Sequence, residues 1–151
     1  NDYYWFMDSY NRRADFPGLA ACGQNICERY LKHIVDKYYE PENRSEEAQK
    51  IDTLRTHNLL KLSSFIEQDM GIEIPNELSD ELRSINGFYF TTRYPGNESM
   101  IPSKRDIDEV AKAVEATRDF VHEVIHEIEH DEHNQEIEEN NYRNDYDDWE
   151  R

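Results

Sequence analysis

The chain has 151 residues, 36% of them apolar and 12% aromatic, and carries a formal net charge of −17. That length fits one domain able to bury a substantial core. No apolar run approaches the roughly 20 residues that cross a bilayer, no signal-peptide pattern is visible, and so negative a chain is a poor nonspecific binder of nucleic acid or anionic lipid.

From Tyr3 to Tyr10 the chain is aromatic and predicted helical. The run Tyr3-Tyr4-Trp5-Phe6 is too apolar for a free terminus and is expected to pack on the bundle or across a subunit boundary. Phe16-Pro17-Gly18 breaks this helix. A long helix follows to Tyr39, with Leu19, Gly23, Ile26, Cys27, Tyr30, Leu31, Ile34 and Tyr38 recurring at three and four, and Pro41 ends it. Its cysteines, Cys22 and Cys27, point away from each other at a spacing of five, so they read as reduced core residues of a cytoplasmic protein. Ser45-Glu46-Glu47-Ala48 looks like a capped start with acids favouring the dipole. Thr56 is placed to cap the next helix, which carries Leu59, Leu60, Leu62, Phe65 and Ile66 and stops at Gly71. Pro75 opens another, with Leu78, Leu82, Ile85 and Phe88 as its core face, leading through Phe90 to a turn at Arg93-Tyr94-Pro95-Gly96.

The last core helix begins near Ser103, with Asp106 at its start and Ile107, Val110, Val114, Thr117, Val121, Val124 and Ile128 as a bundle face. The pattern fades beyond His133. The chain is thus divided into a helical bundle over 1–133 and an acidic, mobile tail over 134–151, in which Tyr142, Tyr146 and Trp149 stand out as aromatic. Residues 101–151 hold 6 Lys/Arg against 17 Asp/Glu, and residues 1–100 hold 11 against 17, so the charge is concentrated at the C-terminal end. The fold expected is all-α, an up-and-down bundle of about five or six helices. The chain starts at Asn1 rather than Met, as a trimmed or excerpted sequence would.

Polar residues interrupt the packing stripes at three places. Gln24, Glu28 and Lys32 share one helix face, His57 and Lys61 share another next to Asn58, and Arg93 and Tyr94 sit at a turn. Buried polar groups must be paired with each other or held for a ligand. In the ligand reading, Lys32 and Arg93 suit an anionic phosphate, Tyr94 stacks on a base, and Gln24 or Asn58 reads its edge. In the structural reading, Glu28 and Lys32 form an ordinary intrahelical ion pair, His57 bonds a backbone group and Arg93 ties the bundle together through Glu28. His122, His126 and His130 lie near one stripe, with His133 beyond. Such a stripe is a solvated face unless a partner chain brings further metal ligands, so no metal site and no cofactor are assigned. Gly-rich phosphate loops, paired CxxC and HExxH are absent from the sequence.

The order Gln24…Glu28…Lys32, then Thr56-His57-Asn58-Leu59, then Arg93-Tyr94-Pro95, then a final amphipathic helix resembles the HEPN domain (higher eukaryotes and prokaryotes nucleotide-binding), over roughly residues 1–130. The resemblance implies a compact all-α bundle, commonly a homodimer. It also implies either a nucleotide binder or a metal-independent ribonuclease of toxin–antitoxin, abortive-infection or CRISPR systems. The ribonuclease branch carries an Arg, four to six residues, then a His, in which the His moves protons and the Arg stabilises phosphate charge. Here Arg118 and His122 have three residues between them, and Arg118 and His126 have seven, so the spacing departs from the pattern and puts catalysis in doubt. The expectation is a nucleotide- or RNA-end-binding accessory module of a bacterial defence or toxin–antitoxin locus, homodimeric, with a partner protein from the same locus and no membrane. The alternatives are a ribonuclease using Arg118 and His122, and a protein-interaction domain.

Overall fold

The computed structural model describes residues 1–13, 16–88 and 101–149, the last four as backbone. Arg93, Tyr94 and the turn around them lie outside the described residues, as do the side chains of Tyr146 and Trp149. Six helices and no strand are found among the described residues: α1 (Asp2–Arg12), α2 (Gly18–Tyr38), α3 (Arg44–Arg55), α4 (Leu59–Gln68), α5 (Asn76–Ile85) and α6 (Lys104–Trp149). The all-α bundle read from the sequence is the fold observed.

The helix starts show how local chemistry sets the boundaries. Asn43 caps α3 by accepting from the Glu46 amide at 2.9 Å, two residues before the serine expected there. Asn58 caps α4, accepting from the Leu60 and Lys61 amides at 2.9 and 3.2 Å. Thr56, expected in that role, instead accepts from the Asn58 amide through its hydroxyl. In both places the asparagine oxygen is the one that meets the orphan amides of the first turn. Ser103 and Asp106 satisfy each other before α6: the Ser103 amide donates to the Asp106 carboxylate at 2.8 Å, and the Asp106 amide donates back to the serine oxygen at 3.3 Å.

The apolar stripes read from the sequence converge on one core. Leu31, Ile34 and Val35 of α2, Leu59, Leu62 and Ile66 of α4, Leu82 and Ile85 of α5, and Ile107, Val110 and Val114 of α6 are all fully buried. Each such side chain contributes about 1.5–3 kcal/mol of burial. α2 and α6 form the central pair, α5 lies along α6, α4 packs on α2 and α5, and α1 lies mainly across α2. Gly23 allows the close approach of α1, α2 and α6, since a Cβ there would meet Val110 Cγ1 at 2.1 Å and the Phe6 ring at 3.1 Å. The aromatic first helix packs on the bundle by one face only: Phe6 is fully buried and the Tyr10 hydroxyl donates to Asp108 on α6, while Tyr4 and Trp5 of the run expected to pack are mostly exposed.

α6 runs well past the last core position. Its backbone is helical to residue 149, through most of the segment read from the sequence as an acidic tail, and residues 129–145 are exposed on every side. No described helix is long and apolar enough to cross a membrane.

Candidate functional site

Four of the polar residues singled out in the sequence meet in one network between α2, the start of α4 and the end of α5. Gln24 and Glu28 project from one face of α2 and are fully buried. The Glu28 carboxylate accepts from Gln24 Nε2 at a long 3.4 Å, from Lys32 Nζ at 3.5 Å, and from His57 Nδ1 at 3.1 Å. Gln24 is held in turn, because its Nε2 donates to the His57 carbonyl at 3.1 Å and its Oε1 accepts from the Gly87 amide at 3.2 Å.

The physical logic is that of a buried carboxylate. Removing Glu28 from water costs several kcal/mol, which only charged or hydrogen-bonding partners offset. Lys32 and His57 do this from the solvent edge, with side chains 20% and 40% exposed. Facing a carboxylate, Nδ1 of His57 carries its proton, which places the acceptor lone pair of the neutral ring on Nε2. Glu28 therefore fixes both the orientation and the tautomer of a half-exposed imidazole.

Asn58, expected as a ligand contact, is the α4 cap. Its oxygen also accepts from Asn86 Nδ2 at 3.3 Å, and Asn86 Oδ1 accepts from the Leu59 amide at 3.0 Å. Lys61 turns outward to Asp52 at 2.5 Å. Asn86 and Gly87 were not marked in the sequence, yet they fasten the end of α5 to the network. Gly87 takes a backbone φ of +107° that suits glycine alone, and an Asn-Gly pair after an apolar stripe is the available signal.

Arg118 and His122, the candidate catalytic pair, lie elsewhere. The Arg118 guanidinium stacks on the Tyr3 ring, 4.4 Å from its centroid, and pairs with Asp119 at 3.8 Å. His122 stands edge-on to Tyr30 at 6.3 Å between centroids. Both belong to the surface where α1, α2 and α6 meet, on the far side of α2 from Glu28. His126 and His130 stack at 6.3 Å on the exposed part of α6, and no group of three metal-ligating side chains converges among the described residues.

Two thiols and one carboxyl are shifted by burial. The Cys27 thiol, donated to by Thr117 Oγ1, is pushed up to about 12 by its apolar surroundings. Cys22, half-buried, is raised for the same reason. Glu81 on α5 is raised by burial, against the pull of Lys112, and its Oε2 has no hydrogen-bond partner among the described residues.

A family model described as HEPN domain matches residues 47–129, more than half of the chain. The match runs from α3 into α6, so it contains His57, Asn58, Arg118 and His122, while Gln24, Glu28 and Lys32 on α2 precede it. No curated protein and no solved structure matches.

Proposed function

The chain belongs to the HEPN family, a superfamily of nucleotide-binding and ribonuclease-like domains, and from that premise we propose that it is a nucleotide- or RNA-end-binding accessory module without catalysis of its own. The observation that carries this reading is the Glu28 carboxylate, buried and holding Lys32 and His57 side by side at the solvent edge. The lysine ammonium supplies a point charge for a phosphate. His57, held by Glu28, stands beside it at the solvent edge. Arg93 and Tyr94 complete the ligand set in this proposal. Arg93 is six residues beyond Gly87 in the chain.

The setting we propose is a bacterial defence or toxin–antitoxin locus, with the domain acting as a homodimer beside a partner protein in the cytoplasm. Family membership supports the setting and the pairing.

Calorimetry with ATP, GTP and their diphosphates tests the binding. Lys32→Ala and Arg93→Ala are expected to weaken it about tenfold each, the scale of one charge-assisted phosphate contact. No heat with any nucleotide would remove the proposal and bring the interaction-domain reading forward. Incubation with labelled RNA in EDTA separates the ribonuclease alternative. The expected result is intact RNA, because the Arg118 guanidinium is already engaged by Tyr3 and Asp119. Cleavage that is lost in His122→Ala or His57→Ala would establish the enzyme instead.

A further inference from the structure

The surface on the other side of α2 is a groove of about 500 Å³, enclosed by the start of α1, one face of α2 and the middle of α6. Its floor is apolar, from Ile26, Val121 and Ile125. Tyr3 and Tyr30 form its walls, and Arg29, His33 and His122 stand on its rim. Residues 28 and 30 are about 200° apart around a helix, so this groove and the Glu28 network face opposite ways.

Three features make it a prepared site. The walls are braced, because Arg118 packs on Tyr3 at 4.4 Å from the ring centroid and His122 meets Tyr30 edge-on at 6.3 Å. The rim concentrates basic side chains in a chain of net charge −17. The acid closing that rim is replaceable: Asp2 pairs with Arg29, and both side chains are mostly exposed, at 59% and 63%. Exposed pairs of this kind are weak, because water screens the charges and two side chains must be held still, so a better-placed anion can take the guanidinium from Asp2.

We propose that this groove binds a flat aromatic molecule carrying one anionic group, with the ring against the apolar floor between Tyr3 and Tyr30 and the anion on Arg29 beside His33 and His122. The size falls within the range of small-molecule sites, which combine apolar lining with a few polar groups that orient the ligand. Phosphate and carboxylate share the required chemistry, and the arms of the experiment tell them apart. The site goes beyond the nucleotide contact proposed at Lys32 and does not depend on it.

The test titrates the full chain with AMP and with indole-3-carboxylate, each paired with its uncharged counterpart, adenosine and indole. Calorimetry gives affinity, and the ring-proton resonances of His33 and His122 report location. At least one anion is expected to bind one-to-one and to shift both histidines, with its neutral counterpart weaker by about tenfold, the loss of one charge-assisted contact. Arg29→Ala and His122→Gln, on surface side chains that leave the core intact, should each weaken the binding reported by the histidine shifts about fivefold, and Lys32→Ala should leave indole-3-carboxylate binding and the histidine shifts unchanged. The proposal falls if neither anion binds, if the neutral rings bind equally well, or if Arg29→Ala and His122→Gln have no effect. Histidines unmoved by either anion, with AMP binding abolished by Lys32→Ala, would place the nucleotide at the Glu28 network and overturn the groove alone. Histidine shifts that follow protein concentration rather than ligand would overturn it as well, by marking this face as a contact between copies of the chain.

Discussion

At the level of single residues, two core positions illustrate opposing terms. Gly23→Ala would add helix propensity of about 1 kcal/mol. It would also drive a methyl to within 2.1 Å of Val110 Cγ1, and overpacking of that kind costs about 1–3 kcal/mol. The steric term wins, so thermal unfolding should show a lower midpoint in the variant, by about 2–8 °C. Cys27 makes a chemical prediction. Its thiol is held protonated until about pH 12 from an ordinary value of 9.0, so iodoacetamide at pH 8 should label native protein at Cys22 at most, and Cys27 only in denaturant. The same shift stabilises the fold fully below pH 9, and that stabilisation is lost as pH climbs from 9 toward 12. Peptide mapping by mass spectrometry reads the labelling directly. The sequence marked both residues as core, which their places on the apolar stripe allowed. It left Glu28 open between a buried group interrupting a packing stripe and half of a solvated surface pair, because the spacing of Glu28 and Lys32 suits both. Only the packing of α4 against α2 distinguishes the two.

Among the helices, long periodic segments were legible and their ends were less so. The faces of α2, α4, α5 and α6 follow the three-and-four spacing because burial selects apolar residues at that period. Caps depend on which of several neighbouring polar side chains first reaches the free amides, and Thr56-His57-Asn58 offers two candidates two residues apart. Asn58 also holds Asn86, so Asn58→Ala should cost about 1–2 kcal/mol in chemical denaturation, at or above the usual loss of a cap. Asn58→Asp keeps the acceptor and should recover most of it. The α5–α6 contact carries a different strain. Burial raises the Glu81 carboxyl above 4.5, so its ionisation opposes folding, and wild-type stability is reduced as pH rises through 4.5 and beyond. Glu81→Gln removes this term, and its stability advantage over the wild type should grow between pH 4 and pH 7, read as the difference in melting midpoint. A difference that is flat with pH would contradict the assignment. The groove beside Tyr30 was illegible for another reason. Arg29 and His33 are one turn apart on α2, but nothing in the sequence states that His122 of α6 faces them.

For the molecule as a whole, the core and the charge lie in different places. Burial ends near Val124 and Ile128, while the acidic run continues through the exposed turns of α6. We take residues 1–133 to be the folding unit. Removing residues 134–151 should leave the melting midpoint within about 2 °C, since the side chains described from 134 to 145 are all exposed, and should reduce the helical signal in circular dichroism. A fall of more than about 5 °C would show that the segment docks on the bundle. With 46 residues and a rise of about 1.5 Å each, α6 measures about 70 Å from end to end. A rod of that span fixed to a small body sets the hydrodynamics. The particle turns slowly end over end and quickly about the rod, so nitrogen relaxation in amides parallel to α6 should differ from that in amides lying across it. Sedimentation should register a frictional drag larger than the mass alone would give.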